Sequence, residues 1–243
     1  MNKLSKWQLK LSLILILLSV ILSVNHYLIF KDIHNLIFYL LIDIAFLPLQ
    51  VLLVTIILNE LLSGREKKVL LNKLNMVIGA FFSEIGTELL KRFIKFDNNH
   101  QMDLALSNLN NEDISQVNKL IGNHNFQINS NCTELELLKI YLSEKRPFLL
   151  SLLGNQNLLE HELFTELLWT VFHLTEELSN RKDVNNLTSA DYEHLSLDIK
   201  RAYVLLIKEW LAYMEHLKKQ YPYLFSFALR TNPFDANATV EIK

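Results

Sequence analysis

The sequence predicts an all-α protein in which an N-terminal two-helix transmembrane hairpin continues through a long stalk helix into a cytoplasmic helical bundle. Half of the 243 residues are hydrophobic and the mean hydropathy is +0.17, which is high for one soluble domain of this length. The chain holds only five glycines and four prolines, too few turn formers for a sheet of many short strands or a glycine-rich phosphate loop. Both observations favour helices, and the hydropathy places some of them in a membrane.

Charge and cysteine content exclude several classes of protein. The 24 basic and 26 acidic side chains give a net charge of −2, so the chain lacks the positive surface of a nucleic-acid-binding protein. Its single cysteine, Cys132, cannot form an intrachain disulfide and has no neighbouring thiols for a zinc site of the usual kind. We therefore expect neither nucleic acid nor a cofactor as a ligand.

Residues 7–30 form the first predicted membrane span, because an apolar helix of this length crosses roughly 30 Å of hydrocarbon. Lysines precede the span, as they do in a secretory signal. However, no pair of small residues marks a cleavage site behind it, and a second apolar segment follows almost at once. The segment is therefore predicted to be an uncleaved anchor.

Residues 36–58 form the second predicted span and complete a hairpin over residues 1–62. The connecting loop, at about residues 25–35, carries one basic and one acidic side chain. The opposite ends of the spans are basic: Lys3, Lys6, Lys10, Arg65, Lys67, Lys68 and Lys73. By the positive-inside rule this predicts a multi-pass protein of the cell membrane, embedded in the lipid bilayer with both termini in the cytoplasm.

Asp43 and Gln50 are polar residues within the second predicted span. A carboxylate inside the bilayer costs on the order of 2 to 3 kcal/mol on insertion scales, so Asp43 should face another helix. One interpretation is a proton- or ion-responsive group in an oligomeric channel or transporter element, since two spans alone cannot enclose a pathway. The other, which we favour, is a polar contact that fixes helix packing, within the chain or in a homo-oligomer.

Residues 63–96 are predicted to continue the second span as a stalk helix, because no proline interrupts them. Apolar residues spaced by three and four form a narrow stripe suited to a coiled-coil or bundle contact: Leu71, Leu74, Ile78, Phe81 and Ile85. Glycine is unfavourable in a helix, so Gly79 and Gly86 beside this stripe indicate a close approach of another helix, or less favourably a ligand pocket.

Two runs in this half of the chain, residues 26–58 and 73–90, resemble a group of uncharacterised prokaryotic two-span membrane proteins with a cytoplasmic helical domain. The resemblance covers about residues 1–95. It implies two spans that lead into a cytoplasmic helix, and it implies no activity and no site.

The rest of the chain is predicted to form a linker, a bundle and a tail. Residues 97–131 read as an Asn-rich linker with one short helix at 112–121. Residues 132–230 read as the cytoplasmic helical bundle, and residues 231–243 as a loose tail. The bundle helices are predicted at 133–145, ending before Pro147, at 148–179, with a break at Gly154, and at 189–220, with a cap formed by Thr188 and Asp191.

Acidic residues are concentrated in one part of the chain. Residues 112–193 hold 13 acidic and six basic side chains, a net charge of −7, whereas the juxtamembrane segment is basic. Anionic headgroups attract basic segments and repel acidic ones. This section is therefore expected to point into the cytosol, available to an unknown cytoplasmic protein partner.

Acidic residues and one histidine share a face of the predicted helix around residue 170: Glu162, Glu166, His173, Glu176 and Glu177. Together with Glu84, Glu88, Glu209 and His216, they could supply the ligands of a di-iron site. However, a stripe of leucines lies opposite and no Glu-x-x-His motif occurs, so we predict a solvated acidic face without a metal. Trp169 on this face suggests a partner contact.

No constellation for nucleophilic catalysis is present, and no catalytic residue is assigned. The predicted function is a membrane-anchored, non-enzymatic helical interaction or scaffold/sensor protein. The alternatives are the channel or transporter element that uses Asp43, and a carboxylate-bridged metalloenzyme. The predicted partner-binding face consists of Glu162, Glu166, Trp169, His173 and Glu177.

Overall fold

The computed structural model describes residues 6–109, 114–130, 133–155, 158 and 161–241. Regular structure in these residues is helical, apart from an isolated antiparallel bridge between Asp97 and Ile128. The chain divides into two compact units, Met1–Lys67 and Lys68–Lys243. The all-α prediction is confirmed. Lys3 and Cys132 lie outside the described residues.

The first unit contains α1, Lys6–Phe30, and the first part of α2, which spans Ile33–Phe81. The apolar segments Lys10–Phe30 and Ile33–Arg65 have mean hydropathies of 2.4 and 2.5. In each segment, the most apolar stretch contains no buried residue. Each helix is long and apolar enough to cross a bilayer, by length and composition. Asp43 and Gln50 lie exposed on α2.

The turn between α1 and α2 is two residues long, shorter than the loop predicted over residues 25–35. Lys31 adopts the left-handed conformation with φ of 49°. The carboxylate of Asp32 accepts hydrogen bonds from the backbone N–H groups of His34 and Asn35, at 3.0 and 3.2 Å. This cap satisfies donors that the first turn of α2 leaves unpaired, so the helix can begin at once.

Helical backbone continues from α2 through a π-helical turn, Phe82–Gly86, into α3, Thr87–Ile94. The wider turn is stabilised by the Thr87 hydroxyl, which donates to the Phe82 carbonyl oxygen at 2.8 Å. Four members of the predicted stripe are buried within the second unit: Leu74, Ile78, Phe81 and Ile85. Leu71 is 43% exposed. The stripe therefore packs into the core of its own chain.

The two stalk glycines have different neighbours. A Cβ atom on Gly79 would lie 3.0 Å from the hydroxyl of Tyr213, so this glycine admits a side chain from another helix. A Cβ atom on Gly86 would lie 2.5 Å from the ring of Phe82 and 2.9 Å from that of Phe81. Gly86 therefore makes room for aromatic rings of its own helix.

The core of the second unit is organised around its longest helix, α8, Ser189–Gln220. It packs against α3, against α5, Ile114–Asn123, and against α7, Glu162–Asn180. It also packs against α9, Pro222–Arg230, while α7 in turn packs against α6, Glu134–Leu153. Both ends of α8 agree with the prediction, and the hydroxyl of Thr188 accepts the N–H of Asp191 at 3.2 Å.

The predicted linker is part of this core. A 3₁₀ turn, His100–Met102, leads into α4, Asp103–Ser107, and α5 occupies the place of the predicted short helix. Seven apolar side chains from the segment are buried: Met102, Leu106, Leu109, Ile114, Val117, Ile121 and Phe126. The prediction of a linker followed from the segment's many asparagines. Its packing is instead decided by the spacing of its apolar residues.

Two further boundaries differ from the prediction. Helix α6 continues through Pro147, so the predicted stop there was wrong, although it does end at Gly154. Proline inside a helix costs about 3 kcal/mol, and burial of Leu149 and Leu152 beyond it offsets this cost. The predicted loose tail is attached at its start, because Phe234 is buried with its ring centroid 5.2 Å from that of Trp210.

Candidate functional site on helices α7 and α8

Helix α7 has one buried and one exposed face. The buried face consists of apolar side chains: Leu167, Leu168, Val171, Leu174 and Leu178. Glu162, Glu166, Trp169 and His173 are exposed, and Glu177 is half-buried. The helical periodicity of the sequence predicts this orientation, since leucines and acidic residues alternate with a period near 3.6.

An open groove of about 560 Å³ runs along the exposed face of α7 and is lined by Glu162, Thr165, Glu166, Trp169, Thr170, His173 and Arg201. The Trp169 side chain is 58% exposed and touches the ring of Phe172 with its edge. Within the described part of the chain, neither Glu162 nor Glu166 forms an ion pair. The groove therefore combines a large accessible indole with two carboxylates that lack a cationic partner there.

The other two acidic residues of this face are held in ion pairs. The Arg146 Nε atom lies 2.7 Å from a carboxylate oxygen of Glu176. Arg181 pairs with Glu177 and also approaches Asp191, at 3.3 Å. The hydrogen bond from Arg181 lowers the pKa of Glu177 below its usual range. Glu176 and Glu177 therefore serve helix packing, whereas Glu162 and Glu166 are accessible.

One end of the groove leads to a cluster that joins α7 to α8. The Nε2 atoms of His173 and His194 lie 3.4 and 3.3 Å from Oδ2 of Asp198. These three ligand atoms lie within 4.8 Å of one another. Both histidines are half-exposed, whereas the Asp198 side chain is 4% exposed. The arrangement brings two imidazoles and one carboxylate together, which is a set of donors suited to a metal ion.

The carboxylate-bridged site considered from the sequence is not assembled by the described residues. Glu84 lies 3.6 Å from the ammonium of Lys145, and Glu88 pairs with Arg92 at 3.0 Å. Glu209 lies beside His161, and His216 contacts the ring of Tyr221. Of the predicted ligands, His173 alone joins the cluster with Asp198. Sequence reasoning missed His194 and Asp198, although their i, i+4 spacing on α8 was a signal.

A second titratable group is buried in the core beyond this cluster. Glu209 is 1% exposed, and its Oε2 atom accepts no hydrogen bond within the described residues. Burial raises the pKa of this carboxyl to about 7. Nε2 of His161 lies 3.9 Å from the Glu209 carboxylate, and burial lowers the pKa of this histidine. Near neutral pH His161 therefore favours its neutral form, whereas the Glu209 carboxyl is close to the midpoint of its titration.

Comparison with known proteins shows that the chain matches a family whose members are described as uncharacterised. Residues 70–230 match the family described as "Uncharacterized protein MJ1433, C-terminal helical domain", and residues 2–62 match "MJ1433, N-terminal helical domain". The Methanocaldococcus jannaschii protein named "Uncharacterized protein MJ1433" is 44% identical over 237 residues, 97% of this chain and 96% of the relative. No solved structure matches the chain. The boundary between the structural units, after Lys67, falls in the short interval between the two matched regions.

Proposed function

The chain belongs to the MJ1433 family, and from this premise we propose that it is a membrane-anchored, non-enzymatic interaction protein. In this proposal α1 and the first part of α2 span the cell membrane. Both termini are cytoplasmic, and the helical domain from Lys68 onwards presents the α7 groove to a protein partner. The observation that carries the anchoring is that the most apolar windows of α1 and α2 contain no buried residue.

In this proposal the lipid bilayer buries the apolar surface that α1 and the first part of α2 expose. The most apolar windows of α1 and α2 contain no buried residue, although their mean hydropathies are 2.4 and 2.5. Soluble proteins rarely expose contiguous apolar patches larger than a few hundred Å². The apolar segments of these two helices, of 21 and 33 residues, also reach the roughly 30 Å needed to cross the hydrocarbon. The basic residues Arg65 and Lys73 after the second span favour a cytoplasmic domain.

The topology predicts which engineered cysteines are accessible from outside. In a Cys132→Ser background, His34→Cys should react with a membrane-impermeant maleimide in intact cells, because His34 is exposed just after the α1–α2 turn. Glu162→Cys, on the domain surface, should react only after the cells are permeabilised. Labelling of Glu162→Cys in intact cells, or of neither position before permeabilisation, would contradict the proposed topology.

The groove favours a partner that offers a basic segment. Glu162 and Glu166 supply carboxylates for Lys or Arg side chains, and the ring face of Trp169, which lines the same groove, supplies a cation–π surface. Exposed tryptophans are also enriched among the residues that contribute most to protein–protein binding. Arg201 at the groove wall does not oppose this, because its guanidinium donates to Oδ1 of Asp198 at 3.2 Å.

Site-specific crosslinking tests this partner surface. A photo-crosslinking residue in place of Thr165, which lines the groove, should give a discrete product whose crosslinked segment is rich in Lys or Arg, and Trp169→Ala should reduce its yield about tenfold or more. The same crosslinker in place of Leu137, exposed on α6, is the matched control and should not give this product. Equal products at both positions, or an unchanged yield in Trp169→Ala, would contradict the proposal that the groove binds a partner.

A further inference from the structure

We propose that His173, His194 and Asp198 bind one divalent transition-metal ion of the Zn²⁺ class, which links α7 to α8. This inference goes beyond the proposed membrane-anchored interaction role. In a tetrahedral site with bonds of about 2.0–2.1 Å, neighbouring ligand atoms lie about 3.3 Å apart. The distances from Oδ2 of Asp198 to the two histidine Nε2 atoms, 3.3 and 3.4 Å, agree with that spacing.

The buried oxygen of Asp198 is the strongest indication of a ligand. Oδ2 accepts no hydrogen bond within the described residues, because neither histidine contact has hydrogen-bond geometry. The other oxygen, Oδ1, is held by Arg201 at 3.2 Å, which fixes the carboxylate with Oδ2 directed at the imidazoles. A buried carboxylate oxygen without a partner is unfavourable. A bound cation would satisfy it.

The two imidazoles are suited to complete the site. Metal ions bind the lone pair of a neutral imidazole nitrogen, and here two Nε2 atoms approach the same oxygen from α7 and α8. Because both side chains are half-exposed, the imidazoles can rotate to bring their ring nitrogens closer to each other than the present limit of 4.8 Å. Solvent can also reach the ion. A pair of imidazoles favours Zn²⁺ and other transition metals over Mg²⁺ and Ca²⁺, which prefer oxygen ligands alone.

The proposed ion has three protein ligands and one coordination position open to solvent. Oε2 of Glu177 lies 3.7 Å from Nε2 of His194, but this carboxylate is engaged by Arg181. Glu177 faces the same nitrogen that would bind the ion and is already paired with Arg181, so it is not counted among the ligands. Since His173 also lines the α7 groove, the ion would fix the position of one groove wall.

Zinc titration of the full-length protein tests the site. The protein is purified in detergent without a polyhistidine tag and in a Cys132→Ser background, which removes the single thiol as a competing ligand. After chelator treatment, we expect one bound zinc per chain. His173→Ala and His194→Ala should each weaken binding by about 100-fold or more, since loss of even an outer-shell partner costs 10–100-fold. His100→Ala is the matched control, because among the described residues His100 pairs with one carboxylate, that of Asp103, at 2.9 Å.

A second measurement separates specific coordination from weak surface binding. Zinc should raise the Tm of the Cys132→Ser protein and of His100→Ala, and leave that of His194→Ala unchanged, because an ion bound only by the folded state stabilises it. Absence of bound zinc, or equal zinc affinity in His100→Ala and His194→Ala, would overturn the proposal. Both histidine variants alter half-exposed side chains, so they should fold and report on binding alone.

Discussion

Glu209→Gln is expected to stabilise the second unit by about 3 kcal/mol at about pH 8 and to leave its stability almost unchanged at about pH 4. Glu209 lies within α8 and is 1% exposed, and burial alone raises the pKa of its carboxyl from 4.5 to about 7. Above pH 7 the wild-type protein must therefore hold a buried charge, which glutamine, a neutral side chain of the same size, does not carry.

The sign follows from the two pKa values of Glu209. Its folded-state pKa is raised, so the folded state holds the proton more tightly than the unfolded state does. The stabilisation by this proton is complete below about pH 4.5 and is lost as the pH rises towards about 7. Wild-type stability should therefore fall across this window by about 3 kcal/mol from this group, and Glu209→Gln should remove that slope.

Denaturant unfolding of the full-length protein in detergent, across this pH range, measures the difference. His161, whose pKa is lowered by burial, lies 3.9 Å from Glu209, so the difference between the two curves reports the titration of Glu209 together with its coupling to His161. Glu215→Gln serves as the matched control, because Glu215 is exposed and pairs with Lys219 on the surface of the same helix. Parallel pH curves for wild type and Glu209→Gln would show that Glu209 ionises normally in the folded state.

Features encoded by nearby residues could be predicted from the sequence. The bounds of α8 follow from the Thr188 cap and from Pro222, since both act within one helical turn. The orientation of α7 follows from the period of its leucines, and the two apolar helices follow from hydropathy. These signals depend on the helix alone and not on what packs against it.

Features decided by tertiary packing could not be predicted. Helix α6 continues through Pro147 because the residues beyond it are buried, and burial partners are not visible in a single sequence. The Asn-rich segment around α5 folds against α8 for the same reason. The approach of His173 to Asp198 likewise requires that α7 and α8 pair in one register. The sequence showed the i, i+4 spacing of His194 and Asp198 but not that register.

Ile78→Ala is expected to destabilise the protein by about 2–5 kcal/mol, whereas Leu71→Ala should change its stability by less than about 0.5 kcal/mol. Both residues belong to the same apolar stripe of α2, seven positions apart. Ile78 is 1% exposed in the core of the second unit, so its truncation leaves a cavity, while Leu71 is 43% exposed. The two changes remove similar apolar side chains from one helix, so the intrinsic preference of alanine for helices largely cancels.

Denaturant unfolding at two protein concentrations distinguishes this core from a coiled coil between copies of the chain. In a coiled coil both residues would occupy equivalent positions of one seam, one heptad apart. Their alanine variants would then lose similar stability, and the unfolding midpoint would rise with protein concentration. A stripe buried within its own chain instead gives unequal losses and a midpoint independent of concentration. Because Leu74, Phe81 and Ile85 are buried beside Ile78, we expect the second result.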